Sequence, residues 1–248
     1  VQRAWRLLAL GVAAYLLILI PTFPASRVSD MLTERVPDLS IHAVSGSVFS
    51  GRAGRVTWQE LDLGTVHWYF RPAALLLGRV EYSLELTHPS NQGQVKVGVS
   101  LTGRAYLRDV ELVVLPDRVI NHYSPVAVAT SGEMLLAFEE IDLTDMFSNN
   151  TTGQLAWRDA VILEPVNMVL GLLEVGVQGR TEALVGEVVE GGELGASGEL
   201  SLSRDGSYRI SLLLQPGPDV SAETLDMLED AARMQPNGNY LIEQSGQF

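Results

Sequence analysis

Apolar and polar residues alternate with a period of two over much of the chain, and two stretches show it most cleanly. Val80, Tyr82, Leu84 and Leu86 are separated by Glu81, Ser83, Glu85 and Thr87, and Val95, Val97, Val99 and Leu101 by Lys96, Gly98, Ser100 and Thr102. Successive side chains of a strand point to opposite faces, so each stretch predicts an amphipathic antiparallel strand with one packed face and one polar face. The turn formers His88-Pro89-Ser90-Asn91-Gln92-Gly93 join the two as a hairpin. A second hairpin is predicted from Leu200 to Leu214, where Asp205-Gly206 supplies the positive φ angles of a tight turn. Further strands are predicted over Gly54–Trp58, Thr65–Phe70, Asp109–Leu115, Glu133–Phe138, Gly153–Arg158 and Ala183–Val189. Most lie close to a glycine, which lets a strand bend or bulge, so a mainly β fold with a curved, elongated antiparallel sheet and a few short helices is expected.

The helical period appears in three places. Between Pro24 and Pro37, Val28, Met31, Leu32 and Val36 recur at helical spacing, with Ser26 or Ser29 as the cap. Pro165 to Leu170 fits either a short helix opened by proline or a buried strand. Ser221 to Met234 is a helix capped by Ser221, with Glu223 in the first turn, an apolar stripe of Leu225, Leu228 and Ala232, and Pro236-Asn237-Gly238 as its stop. Pro72 cannot continue a hydrogen-bonded ladder, so a strand should end at Phe70-Arg71 and Ala73–Leu77 should cross over to the next. Leu75, Leu76 and Leu77 in that crossover are apolar enough either to be buried beneath the sheet or to touch a bilayer.

Leu7 to Phe23 forms 17 consecutive uncharged positions preceded by Arg3 and Arg6. At about 1.5 Å per residue it spans roughly 25 Å, near the short end of what crosses a hydrocarbon core. The flanking arginines favour a cytoplasmic N-terminus with everything after Pro24 outside the cytoplasm. A cleaved signal peptide shares the basic start and apolar stretch, but cutting after Ala25 or Ser26 would put Phe23 or Pro24 where a small residue is wanted. The pattern therefore assigns residues 1–24 to a single transmembrane anchor and 25–248 to an external β-rich domain.

Composition narrows the chemistry. The 248 residues are 46% apolar and 19% charged, enough for a folded domain, and their net charge of -13 repels phosphate, so no nucleic acid partner is expected. Cysteine is absent, which excludes disulfides and thiolate metal sites. The four histidines, His42, His67, His88 and His122, are never within four positions of one another. Gly46, Gly51 and Gly54 with Arg52 and Arg55 lack the Lys-Ser ending and the following helix of a phosphate loop. Glu139-Glu140 and Asp142 with Asp145 lack the density of a calcium loop and read as a solvated rim. No catalytic residue, cofactor site or metal site is assigned.

The strand cores GRVTW (Gly54–Trp58) and GQLAW (Gly153–Trp157) echo one another, suggesting two similar halves joined near 130–150. Four features together resemble the type II secretion system protein N family: the N-terminal anchor; HAVSGSVFSGRAGRVTW from His42 to Trp58; VHWYFRPAALLLGRVEYSLEL from Val66 to Leu86; and GQLAWRDAVIL from Gly153 to Leu163 followed by the late hairpin. The resemblance implies a non-enzymatic, single-pass protein of the bacterial cell inner membrane with its main domain in the periplasm. Its implied partners are other inner-membrane components of the type II secretion machine, and membrane lipid around the N-terminal helix. A more distant likeness to AsmA-like groove proteins implies, as the alternative, a lipid- or lipoprotein-binding module with lipid in an apolar groove. Arg71-Pro72, Trp58, Trp68 and Trp157 are the structural signature positions.

Overall fold

The computed structural model describes residues 24–58, 61–89, 91–123, 128–164, 167–218 and 220–247. The chain divides into two compact units, Val1–Pro89 and Ser90–Phe248, both built on antiparallel strands. Apart from Pro24, the anchor expected over 1–24 lies outside the described residues. Among those described, no helix is long and apolar enough to cross a membrane.

In the first unit, helix α1 (Ala25–Arg35) leads into strands β1 (Leu39–His42), β2 (Ser45–Gly46), β3 (Ser50–Trp58), β4 (Leu61–Phe70) and β5 (Arg79–His88). The helix falls where the apolar spacing places it, but its cap does not. Pro24 holds the N-cap position with no side-chain bond, and Ser29 Oγ instead donates to the Ser26 carbonyl at 2.8 Å. Both β1 and β2 pair with β3, which pairs with β4, which pairs with β5.

Proline acts as expected at the end of β4. Pro72–Leu77 forms a 3-10 turn with the proline at its start. This turn gives the polar face of β5 a partner: Glu81 is only 6% exposed, and the Arg71 guanidinium reaches its carboxylate at 3.4 Å. Burying an acid requires such a partner, and the turn provides it.

The second unit comprises β6 (Asn91–Ser100), β7 (Ala105–Val114), α2 (Pro116–Tyr123), β8 (Ala129–Asp142), β9 (Thr152–Glu164), β10 (Met168–Arg180), β11 (Ala183–Gly191), β12 (Ser197–Ser203), β13 (Ser207–Leu214), α3 (Ala222–Ala231), β14 (Arg233–Met234) and β15 (Tyr240–Gln247). From β6 to β13 each strand pairs with the next; β13 then pairs with β15, and β14 with the start of β15.

Register shifts occur opposite Asp109 in β7 and Asp159 in β9, both with positive φ, 46° and 48°. Each is the extra residue of a β-bulge, which bends its strand.

Several sequence expectations change here. Leu101 is not in a strand but in the following turn, fully outward. The ambiguous 165–170 stretch is strand from Met168 onward, with Pro165 and Val166 outside the described residues. Helix α3 stops at Ala231, and Arg233-Met234 turns back to pair with Tyr240 and Leu241. The Asp205 turn carries positive φ at Gly206 alone (81°), because three residues rather than two separate β12 from β13.

Ser221 caps α3 as read from sequence, its Oγ accepting from Thr224 N at 3.2 Å. Leu228 carries that helix onto Trp157, Ala160, Met168, Leu170, Leu194, Leu214 and Tyr240, the buried cluster of this unit. Ile120 of α2 packs against the same cluster. Elsewhere most strand residues are only partly covered, so the packed interior is concentrated under α3.

Candidate interaction surfaces

The signature residues divide into structural and exposed. Trp68 Nε1 donates to the Ser47 carbonyl at 2.9 Å, and its ring lies so close to Gly51 that a Cβ there would stand 2.4 Å from it. Trp157 makes a similar bond, Nε1 to the Ser131 carbonyl at 3.0 Å, inside the core cluster. Trp68 thereby ties β4 to backbone beyond the strands it pairs with, whereas Trp157 adds a side-chain bond within the β8–β9 ladder; each uses its polar edge while the rings pack. Trp58, at the end of β3, is 43% exposed instead. The echo between GRVTW and GQLAW thus ends in one outward and one inward tryptophan.

The acidic residues are more organised than a solvated rim. Asp142 is only 3% exposed. Its Oδ1 accepts from the backbone N–H groups of Thr144 and Asp145 at 3.0 and 3.1 Å, and its Oδ2 accepts from Ser148 Oγ at 3.3 Å. Arg104 bridges it to Glu140, with contacts of 3.5 and 2.8 Å. These bonds fold the 143–151 loop, and the carboxylate is spent on backbone donors rather than offered to a ligand. Next to it, the Arg204 side chain bonded to Asp145 at 2.6 Å holds that carboxyl below its ordinary pKa. Asp205 is also held low, chiefly by the Ser207 hydroxyl. Burial pushes the Tyr82 phenol up.

His42 is exposed, while His67 and His88 are half-buried on separate strands. Among the described residues no group of three or more His, Asp or Glu side chains is placed to hold a metal ion.

What remains is surface. One face of β6 to β11 forms an open trough of about 800 Å³. Its lining mixes polar and apolar side chains: Lys96 is ion-paired with Asp109, Gln94 Nε2 donates to Glu111 Oε2 at 2.8 Å, and Phe138, Val177, Val185 and Val189 lie among them. Its charged side chains are Lys96 and Arg180 against Asp109, Glu111, Glu139 and Glu187. A different feature is the outer side of β15: past Tyr240 and Leu241, which β14 covers, no described strand pairs with it. Glu243, Gln244 and Ser245 are exposed there. An open strand offers backbone donors and acceptors in register to an added strand. In the first unit, Leu75, Leu76 and Leu77 all face outward.

As a class, the described residues form a mainly β, antiparallel framework with an open strand edge, a trough of mixed lining and an apolar turn. The family model for type II secretion system (T2SS), protein N, matches residues 37–243, and the chain belongs to that non-catalytic family. The type II secretion system protein N of Vibrio cholerae serotype O1 is 26% identical over 220 residues, 85% of each chain. That of Aeromonas hydrophila is 26% identical over 246 residues, 97% of each chain. No solved structure matches significantly.

Proposed function

We propose that the chain is a structural subunit of the inner-membrane part of the type II secretion machine. Residues 1–24 anchor it with the N-terminus in the cytoplasm, and the β-rich remainder stands in the periplasm and contacts other components that support export of folded proteins across the outer membrane. The observation that carries this reading is that the family match spans 37–243, nearly all of the β-rich part, so the likeness is to the scaffold itself. The geometry supports it through the outer side of β15, where a partner strand gains backbone hydrogen bonds that water otherwise satisfies. For the lipid alternative the trough is a mixed surface, with Val110, Phe138, Val177, Val185 and Val189 beside its charged groups. An acyl chain laid along Lys96, Asp109, Gln154 and Glu187 would desolvate polar groups without replacing their hydrogen bonds.

The test is in-cell photo-crosslinking from Glu243, Ser245 and Glu187 in the full chain, with mass spectrometry of the captured material. Adducts with inner-membrane components of the secretion machine are expected from the β15 positions. Their reproducible absence, with phospholipid recovered from Glu187 instead, would replace the subunit reading with the groove reading. Protease accessibility of 91–247 from the periplasmic side checks the topology separately.

A further inference from the structure

The turn between β4 and β5 holds three consecutive leucines, and none is packed away: Leu75 is 52%, Leu76 90% and Leu77 72% exposed. A solitary exposed leucine is ordinary, whereas a contiguous run on a tight turn marks a contact surface. The turn is held firmly. Pro72 sets its start, Ala74 is buried and donates its N–H to the Arg71 carbonyl at 3.1 Å, and Gly78 closes it in the left-handed region (φ 68°) with its N–H 3.0 Å from the Leu75 carbonyl. With Ala74 tucked inward, the next three side chains are presented outward. Val80, 46% exposed, extends the surface onto the start of β5.

The register shows what lies beside this turn. Ser50 pairs with Tyr69, Phe70 N donates to the Phe49 carbonyl at 2.7 Å, and Phe70 pairs with Tyr82. The start of β3, the end of β4 and the start of β5 therefore form one end of the first unit. At that same end Ser47 bridges to Pro24, the residue directly after the uncharged stretch 7–23. With strands about 5 Å apart, roughly 15 Å separates Pro24 from the end of β4, and the leucine turn follows that strand directly. Arg71 and Arg79 flank the turn, Arg71 also engaging Glu81. Leucines beyond a pair of guanidinium groups suit the boundary between acyl chains and phosphates.

We infer that Leu75–Leu77 is a second membrane contact, inserted at the headgroup boundary of the same bilayer that residues 7–23 enter. This rests on the anchor of the proposed function. A single tether leaves the first unit free to pivot; a second contact fixes which face it turns to its neighbours.

The chain has no cysteine, so Leu76→Cys gives one labelling site, and Leu101→Cys, at a position 87% exposed in the second unit, gives the control. Each full-length variant is labelled with an environment-sensitive nitrobenzoxadiazole probe and reconstituted into phosphatidylethanolamine–phosphatidylglycerol vesicles. The position 76 probe should emit to the blue of the control, resist iodide, and lose more than half its emission to doxyl-labelled lipid. Iodide quenching equal to the control overturns the inference. So does shielding from both quenchers, which would mean a protein occupant. Carbonate extraction of the same vesicles reports the anchor independently. A chain that resists extraction with a water-exposed position 76 defeats only the second contact, whereas release by carbonate defeats the anchor.

Discussion

Replacing each of two tryptophans that end similar sequences by phenylalanine should have very different consequences. Trp157→Phe removes the indole N–H that reaches the Ser131 carbonyl at 3.0 Å and part of a ring packed among Ala160, Met168 and Leu170. The unpaired, partly covered carbonyl costs about 1 kcal/mol. The smaller ring gives up roughly 40 Å² of buried apolar area, again about 1 kcal/mol. Allowing for the void left behind, the loss is about 2–3 kcal/mol. Trp58→Phe changes a side chain that is 43% exposed, and should stay within about 0.5 kcal/mol. Hydrogen exchange read by mass spectrometry resolves this unit by unit. Amides of β9 and β10 should exchange about 30- to 150-fold faster in Trp157→Phe, with β3 and β4 unchanged. Trp58→Phe should leave both regions within about threefold of the parent. Equal sensitivity of the two variants would refute the division into an inward and an outward tryptophan.

Three further outcomes follow from the same contacts. Asp142→Ala strips the acceptors from Thr144 N and Asp145 N and leaves Arg104 one carboxylate short, which should destabilise the second unit by about 2–4 kcal/mol in urea unfolding. Leu228→Ala should cost about 2–5 kcal/mol and expose Ala222–Ala231 to limited proteolysis before the strands are cut. Because Arg204 holds the Asp145 carboxyl below its ordinary range, its stabilisation is present above the unfolded pKa and disappears as pH falls through the lower folded value. The difference in melting temperature between the parent and Asp145→Asn should thus be constant above about pH 5 and vanish in stronger acid.

In β6, β12 and β13 the alternation of apolar and polar residues made the strands legible, although it did not fix burial: Val99 is 45% exposed while Gly98 is buried, and Leu200, Ser201, Leu202 and Ser203 are all half-buried. It failed where other forces decided. Met168-Val169-Leu170 is a continuous apolar run, and period alone does not separate a strand from a helix there. β15 continues from Tyr240-Leu241-Ile242 into Glu243-Gln244-Ser245, so its second half carries no apolar signal and is held by its ladder to β13. Helix α2 is only eight residues long and went unseen behind the β7 pattern. The burial of Glu81 was not legible because the arginine that makes it tolerable is a non-neighbour delivered by a turn. Among the surfaces, the three leucines stood out in the sequence while their direction did not, since exposure depends on Ala74 turning in. The side of β15 left open has no side-chain signature at all, being a property of backbone groups and of which strand comes next.

Pairing of each strand from β6 to β13 with its immediate successor keeps most partners close along the chain, so the entropy of loop closure is small at every step. Such a chain need not wait for its far end before it begins to organise. Delivered from one terminus to the other, it can add each strand to the growing ladder as that strand emerges, exposing little more than one unsatisfied rim at a time. The exception is the last step, because the Leu228 helix and the 240–247 strand must both arrive before the buried cluster around Trp157 is closed.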